Sequence, residues 1–272
     1  MNSEPAKDYE VIDQITVSLA REIKDGESCY TGIAIPLAVV AVQLARMTHA
    51  PDLDFLYGGY WIRPDLDIDP FNMMTDVELF KQSVTKARGF GKLISMYNYW
   101  GGPKFTLDFG IIRPGQVDQY GNVNNSIIGD IDNPKVRLPG GAAVADIANA
   151  CHRVLAYIPK HDTRTFVEKV DFVTGRGVSP QWRKEMGLDE YQGITTIITD
   201  LAVLDFQTGD GRMRLRSVHQ TSSTEEVIEN TGFELVIPDP VPVTSPPTEY
   251  EMEVLRNKAD PLEVRRFDYR ER

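Results

Sequence analysis

Residues 116–129, QVDQYGNVNNSIIG, concentrate the side chains of this chain that could bind a polar ligand. Gly121 predicts a turn with a positive φ, which glycine adopts without steric cost. Asn122 and Asn124 are two residues apart, so in an extended segment their side chains point to one face. Short amides on one face can hydrogen-bond a carbonyl group of a ligand or orient a neighbouring backbone loop. The alternative is an Asn-rich turn held by its own side chains, and for Asp118 we expect a structural role.

A second segment, residues 140–143 (GGAA), lies where a helix of small residues is predicted to begin. The backbone N–H groups of Gly140 and Gly141 have no bulky Cβ beside them. They can therefore approach a carbonyl oxygen or a phosphate of a ligand closely. The alternative is a tight turn that packs a helix against a sheet.

The common catalytic motifs are absent from the sequence. It contains no Gly-x-Ser-x-Gly nucleophile turn, no Walker loop and no dinucleotide-binding glycine pattern. The cysteines form neither a disulfide framework nor a metal motif. The histidines lack metal-ligand spacing; they are His49, His152, His161 and His219. The sequence therefore predicts no metal site and no permanently bound cofactor.

Length and charge narrow the class of protein. A chain of 272 residues that is 42% apolar can bury a sizeable core. Its formal net charge of −11 argues against nucleic-acid binding, which needs a basic face. No apolar run approaches the ~18 residues of a membrane span, and the polar start MNSEPAKDYE lacks a signal-peptide pattern. We expect a cytoplasmic protein without a nucleic-acid or membrane partner.

The elements that must position these residues begin with a strand–helix–strand unit. Apolar spacing predicts a first helix that ends before Gly26, and Pro36 is predicted to open a second one. Strands over residues 28–31, just before Gly32, and 53–57 flank the second helix, which is typical of a parallel sheet. Three further predictions follow along the chain: an irregular loop over 60–75, a helix over 76–87 and a strand over 105–118.

The second half of the chain predicts more strands. They cover residues 166–174, 194–206 and 212–218, and the turn QTGDG joins the last two as a hairpin. Ser223 is the predicted N-cap of a short helix. Five prolines in residues 237–247 predict an extended linker, followed by a closing helix over 248–258. The pattern indicates an α/β chain with a mixed sheet.

Four segments resemble the β subunit of family I CoA-transferases of the glutaconate type. They are residues 50–59 (APDLDFLYGG), 115–141, 166–175 (FVEKVDFVTG) and 225–235 (EEVIENTGFEL). The sequence is also similar to ring-opening acyl-CoA hydrolases of steroid degradation. The resemblance implies a three-layer α/β fold with a mostly parallel central sheet and a C-terminal part containing a hairpin. It implies a single domain over residues 1–272, with a CoA thioester as substrate.

Transferases of this family end a short strand in a glutamate that attacks the acyl-CoA. Alignment of the APD segment, residues 50–52, places Gly58 at that position, and glycine offers no nucleophile. The resemblance therefore predicts no catalytic residue on this chain. It implies contacts with substrate or CoA from nine residues: Gly32, Tyr57, Gly58, Gly59, Tyr60, Asn122, Asn124, Gly140 and Gly141.

Three functions remain open, and the resemblance implies an α subunit as partner, in an expected α2β2 assembly. The first is a hydrolase that breaks a carbon–carbon bond of a cyclic β-oxo acyl-CoA. In it, a glutamate base on the α subunit activates water against a ring carbonyl. Tyr57, Tyr60 and Trp61 would then shape an apolar pocket. The second is a CoA-transferase whose carboxylate comes from another residue or chain. The third is a non-catalytic partner that stabilises or regulates the α subunit.

Basic residues cluster in only two places along the chain. One set alternates along a predicted strand (Arg212, Arg214, Arg216), and the other lies near the end (Arg265, Arg266, Arg270, Arg272). Because coenzyme A carries several negative phosphates, an acidic chain is a poor sole host for it. We expect most nucleotide contacts on the α subunit.

Overall fold

The computed structural model describes residues 4–32, 35–57, 60–62, 87–90, 107–141, 144–177, 184–185, 187 and 193–269. The described helices are α1 (Val11–Arg21), α2 (Pro36–Thr48), α3 (Val144–Ala150), α4 (Thr224–Glu229) and α5 (Glu249–Val254). A π-helical turn (Leu255–Ala259) and a 3-10 turn (Val264–Asp268) follow α5.

The described strands, in chain order, are β1 (Ser28–Thr31), β2 (Asp54–Tyr57), β3 (Tyr60–Ile62), β4 (Ala87–Phe90), β5 (Leu107–Ile112), β6 (Gln116–Val117), β7 (Val123–Asn124), β8 (Ile127–Gly129), β9 (Pro134–Arg137), β10 (Cys151–Ile158), β11 (Ile194–Thr199), β12 (Ala202–Asp205) and β13 (Arg214–Val218). The chain groups into two compact units, residues 1–111 with 246–272, and residues 112–245. The single domain expected from the resemblance stays a prediction.

The first unit has a parallel sheet centre with antiparallel strands beyond it. Its strand order is β5-β1-β2-β3-β4, in which β1 pairs in parallel with both β2 and β5. β3 and β4 continue antiparallel. The predicted strand–helix–strand unit is therefore confirmed.

Local sequence explains where the helices of this unit begin. Glu10 and Asp13 form a reciprocal capping box at the start of α1, and Ile12, Ile15 and Leu19 bury one face of that helix completely. Pro36 occupies the first turn of α2, where its missing N–H is tolerated.

The predicted closing helix is confirmed as α5 with its π-helical turn. Thr248 and Glu251 form a capping box at its start. Arg21 of α1 pairs with Glu251 at 2.6 Å and donates to the Pro246 carbonyl at 2.8 Å. The end of the chain is thereby attached to α1.

The second unit places β10 and β11 in parallel, with β12 and β13 antiparallel beyond them. α3 packs on β10, and the predicted hairpin turn joins β12 to β13 with Asp205 opposite Arg214. Ser223 accepts the Glu226 N–H at 3.1 Å, which confirms it as the N-cap of α4.

The proline-rich segment is extended as predicted and runs along β13, since Thr244 N–H donates to the Val218 carbonyl at 2.8 Å. The predicted α/β class is confirmed.

Several predicted elements were wrong. Residues 166–174 form no ladder. Phe166 makes an isolated bridge with Val117 of β6, and near the other end of the segment Thr174 N–H donates to the Val123 carbonyl of β7 at 2.9 Å. The predicted strand over 194–206 is two strands, since the Thr199 hydroxyl accepts the N–H groups of Leu201 and Ala202 and turns the chain. Strand β10 was not predicted. Residues 60–62 form β3 instead of a loop, residue 87 begins β4, and residues 63–86 lie outside the described part.

Among the described residues, no helix combines the length and apolar character needed to cross a bilayer.

Candidate functional site

The carboxyl ends of β1 and β2 lie side by side in the first unit. Parallel pairing places Thr31 opposite Tyr57, the last residue of each strand. The next residues in the sequence are Gly32 and Gly58. Gly58 and Gly59 lie outside the described residues, and for Tyr57 and Tyr60 only the backbone strands are described. The contacts expected from these four residues stay predictions.

Gly32 leaves space at this strand end. A Cβ built on Gly32 would meet, among the described atoms, only Ile35 Cδ1 at 3.9 Å. Packing by described residues therefore does not require glycine here. Its absence of a side chain is compatible with the expected substrate contact, which stays a prediction.

Thr31 is a residue that the sequence analysis missed. Its side chain is fully buried, and within the described part of the chain its Oγ1 has no hydrogen-bond partner. No signal in the sequence could have found it, because threonine is an ordinary strand residue.

The start of α2 is already occupied by a carboxylate. Leu37 N–H, the first backbone donor after Pro36, donates to Asp268 Oδ2 at 3.1 Å, and both residues are buried. An anion at this helix start would meet a like charge. The phosphates of a nucleotide are thus disfavoured here.

Arginines of the two basic clusters are engaged in ion pairs. Arg265 is fully buried, with its Nε 2.9 Å from Asp13 Oδ1 and an Nη 2.8 Å from Asp260 Oδ2. In the first cluster, Arg214 pairs with the buried Asp205 at 2.7 Å and Arg212 pairs with Asp210 at 2.7 Å. These three arginines already form ion pairs with acidic residues of their own chain. Residues 270 and 272, at the end of the second cluster, lie outside the described part.

In the second unit, the 116–129 segment forms a loop around the carboxylate of Asp118. This carboxylate accepts the backbone N–H groups of Tyr120 at 3.0 Å and Asn122 at 3.1 Å, as well as the Asn122 amide at 2.9 Å. Burial raises the pKa of Asp118, and these hydrogen bonds oppose the rise. The geometry supports the structural role expected for this residue.

Gly121 has the predicted positive φ, +75°, and a tight neighbour. A Cβ at this position would lie 2.9 Å from the ring of Phe206. Both the backbone angle and the packing therefore require glycine.

The two asparagines are engaged within this loop. The side-chain oxygen Oδ1 of Asn122 accepts Gly177 N–H at 3.0 Å. Asn124 is fully buried, donates to Gln116 Oε1 at 2.7 Å and accepts Ser126 N–H at 2.9 Å. These contacts match the alternative of a turn held by its own side chains, and substrate binding by either amide stays a prediction.

The glycines before α3 differ in what they require. Gly140 has φ +113°, and no described atom lies within 4 Å of its Cβ position, whereas a Cβ on Gly141 would lie 2.5 Å from Thr174 Cγ2. Gly141 is thus needed for packing, and Gly140 for its backbone angle. The substrate contacts expected from both glycines stay predictions. Gly177, missed by the sequence analysis, allows its backbone to contact Tyr120 O directly.

Two histidines that are distant in sequence converge on Thr199. His161 stacks on Phe166 with ring centroids 3.8 Å apart and contacts the Thr199 hydroxyl at 3.2 Å. His219 Nε2 lies 2.9 Å from the Thr199 carbonyl oxygen. Burial lowers the pKa of His161 to about 3 and that of His219 to about 4, so both rings are neutral near pH 7.

The acids near these rings do not form a metal site. Burial raises the pKa of Asp200, which accepts the His161 backbone N–H at 2.7 Å, to about 6. Across the described residues, no group of histidine, cysteine and acidic side chains could hold a metal ion.

Comparisons with known proteins identify relatives over nearly the whole chain. The B subunit of 3-oxoadipate CoA-transferase from Pseudomonas knackmussii is 36% identical over 252 residues, which cover 91% of this chain and 92% of that protein. The IpdB subunit of the cholesterol ring-cleaving hydrolase of Rhodococcus jostii is 27% identical over 239 residues, 84% of each chain.

Solved structures share the fold. Glutaconate CoA-transferase from Acidaminococcus fermentans superposes with a TM-score of 0.80 at 25% identity, covering 94% of this chain and 97% of that one. The decarboxylase AibA/AibB superposes with a TM-score of 0.79 at 26% identity, covering 96% and 99%. A family model described as coenzyme A transferase matches residues 12–230. With the fold, the relatives and this match in agreement, the chain belongs to the coenzyme A transferase family.

Proposed function

We propose that this chain is the β subunit of a hetero-oligomeric enzyme that opens the ring of a cyclic β-oxo acyl-CoA by hydrolysis. The catalytic base is on the α subunit, and the assembly is α2β2. The observation that carries the proposal is Gly58, which follows β2 where family transferases have their nucleophilic glutamate. A chain without that carboxylate has no group there to form an acyl anhydride or a glutamyl-CoA thioester.

The reaction needs no covalent enzyme intermediate. The base removes a proton from water, and the hydroxide adds to the ring ketone carbon. The bond between that carbon and the thioester α-carbon then breaks, and its electron pair stays on the α-carbon as a thioester enolate. Protonation of the enolate gives an open-chain acid that is still a CoA thioester.

The described strand ends suit a supporting role in this reaction. β1 and β2 end side by side, and Gly32 leaves space beside the last residue of β1. Because Asp268 occupies the start of α2, and arginines of both basic clusters pair with acids of their own chain, the CoA phosphates are assigned to the α subunit. The ring-cleaving relative and the AibA/AibB decarboxylase support the idea that family members have activities other than CoA transfer.

CoA transfer is the second candidate, because the 36% identity to a 3-oxoadipate CoA-transferase subunit favours it. It requires a carboxylate from another residue or from the α subunit. A transferase passes through a glutamyl-CoA thioester, whereas the hydrolase does not.

The test uses the complex of this chain with its α subunit and 2-oxocyclohexanecarboxyl-CoA. Ring opening gives a product heavier by one water and releases no free CoA thiol. We expect this product, together with no borohydride- or hydroxylamine-trapped glutamate. Rapid CoA transfer between carboxylates with a trapped intermediate would establish the second candidate instead.

Gly58→Glu, with Gly59→Glu as its neighbour control, completes the test. We expect neither variant to transfer CoA efficiently, since a carboxylate alone does not supply the other groups that must orient an acyl-CoA for attack. Efficient transfer by Gly58→Glu alone would mean that the rest of the transferase site is intact, and would contradict the proposal.

A further inference from the structure

Thr31 presents a buried hydroxyl without a partner at the end of β1. Its side chain has no exposed surface, and the described residues provide no hydrogen-bond partner for Oγ1. An unpaired buried polar group costs about 1–3 kcal/mol. Such groups are rare enough in native proteins that each one calls for an explanation.

The position of Thr31 in the sheet suggests a ligand as that explanation. β1 lies between β2 and β5, and Thr31 pairs with Tyr57 on one side and Ile111 on the other. The chain leaves β1 through α2 toward β2 and returns later on the opposite side as β5. In open α/β sheets, ligands bind outside the carboxyl ends of the strands at such a reversal of strand order.

The neighbours of Thr31 indicate the chemistry of the ligand atom. Gly32 contributes no side chain, and among described atoms only Ile35 Cδ1 would contact a Cβ there. Thr31 is fully buried, so a charged oxygen would be costly to desolvate beside it, whereas an uncharged carbonyl oxygen can accept a hydrogen bond from its hydroxyl.

We propose that Thr31 is a specificity-determining residue whose hydroxyl donates a hydrogen bond to the ketone oxygen of a β-oxo acyl thioester. The inference rests on the proposed function, because that function supplies the acyl-CoA and its ketone. It adds a described residue of this chain that distinguishes an oxo-acyl group from its deoxy counterpart. A site that hydrogen-bonds a substrate oxygen discriminates against an analogue lacking that oxygen.

The experiment compares the wild-type complex with Thr31→Val and Thr31→Ser complexes. Valine keeps the shape without the hydroxyl, and serine keeps the hydroxyl. The probes are 2-oxocyclohexanecarboxyl-CoA and cyclohexanecarboxyl-CoA, which differ by the ketone oxygen. Stopped-flow tryptophan fluorescence gives the Kd of each before turnover, and thermal unfolding checks that each complex is folded.

We expect Thr31→Val to weaken binding of the oxo thioester about tenfold and to leave the deoxy thioester within about twofold. Thr31→Ser should retain most of the preference. Equal weakening of both probes, or no change in either, overturns the role of Thr31. A wild-type complex that binds neither thioester overturns both this role and the proposed function. Selective weakening in a complex that leaves the ring intact would overturn the hydrolase alone.

Discussion

At the scale of single residues, the 116–129 loop shows which side-chain contacts a sequence can predict. Asp118 and Asn122 are four residues apart and hydrogen-bond each other, so the turn follows from local pattern. The partners of Thr199, His161 and His219, are 38 and 20 residues away. Contacts of that kind depend on the sheet, which brings distant residues together, and the sequence analysis missed them.

Gly121 yields a prediction at this scale. Gly121→Ala must place a Cβ at φ +75° and 2.9 Å from the Phe206 ring. The left-handed angle costs about 1–2 kcal/mol, and the overlap adds roughly 1–3 kcal/mol. Urea unfolding should therefore show a loss of at least about 2 kcal/mol in the free energy of unfolding.

Gly187→Ala is the matched control for Gly121→Ala. Gly187 lies in the same unit, has φ +67° and has no described atom within 4 Å of its Cβ position. It should show only the cost of the backbone angle. If the two variants lost equal stability, the Phe206 contact would have no energetic role.

At the scale of elements, helices with capping residues were predicted better than strands. Pro36, Ser223 and the residues around Thr248 mark helix starts through interactions within one turn. Strands need partners that the sequence does not specify. Residues 166–174 have strand-like composition but form a loop, while β10 was overlooked although it pairs with β11 over most of its length.

The attachment of the last 3-10 turn to α1 provides the element-scale prediction. Arg265 is fully buried between Asp13 of α1 and Asp260. Arg265→Met leaves two buried carboxylates without their main counter-charge. Removing one partner of a buried ion pair costs about 3–5 kcal/mol of stability. Because Arg256 stays 3.6 Å from Asp13, we expect urea unfolding to show a loss in the free energy of unfolding near the lower end of that range.

The neighbouring Arg266→Met is the control for burial. Arg266 pairs with Glu10 at 2.6 Å, but both side chains are about two-fifths exposed. Exposed ion pairs contribute ~0–1 kcal/mol. Equal losses in the free energy of unfolding for the two variants would show that the buried network does not hold the turn in place.

At the scale of the whole molecule, acid and base groups are unevenly placed. The chain carries a net charge of −11, yet two of its histidines, His161 and His219, are buried and neutral. The pKa of Asp200, which accepts the His161 backbone N–H, is raised. Membership of the family was predictable from the spacing of four segments over most of the chain. The buried titrating cluster was not, and it gives the chain a stability that depends on pH.

The sign of this dependence follows from the direction of each shift. The pKa of His219 is lowered from 6.5 to about 4, so the unfolded chain binds the proton first and stability falls as the pH drops below 6.5. His161 acts in the same direction. Asp200, raised from 3.8 to about 6, opposes them, because its contribution is present at low pH and is lost as the pH rises toward 6 and above.

His219→Gln isolates one histidine from the other titrating groups. Glutamine can still donate to the Thr199 carbonyl but does not titrate. The difference in the free energy of unfolding between wild type and variant should change between pH 6.5 and pH 4 by about 3 kcal/mol, at ~1.4 kcal/mol per pKa unit. The wild type should lose the larger amount on acidification. Urea unfolding across this range measures the change, and amide hydrogen exchange in β11–β13 locates it. A difference independent of pH would mean that His219 titrates alike in the folded and unfolded chains, and would contradict the lowered pKa of the buried ring.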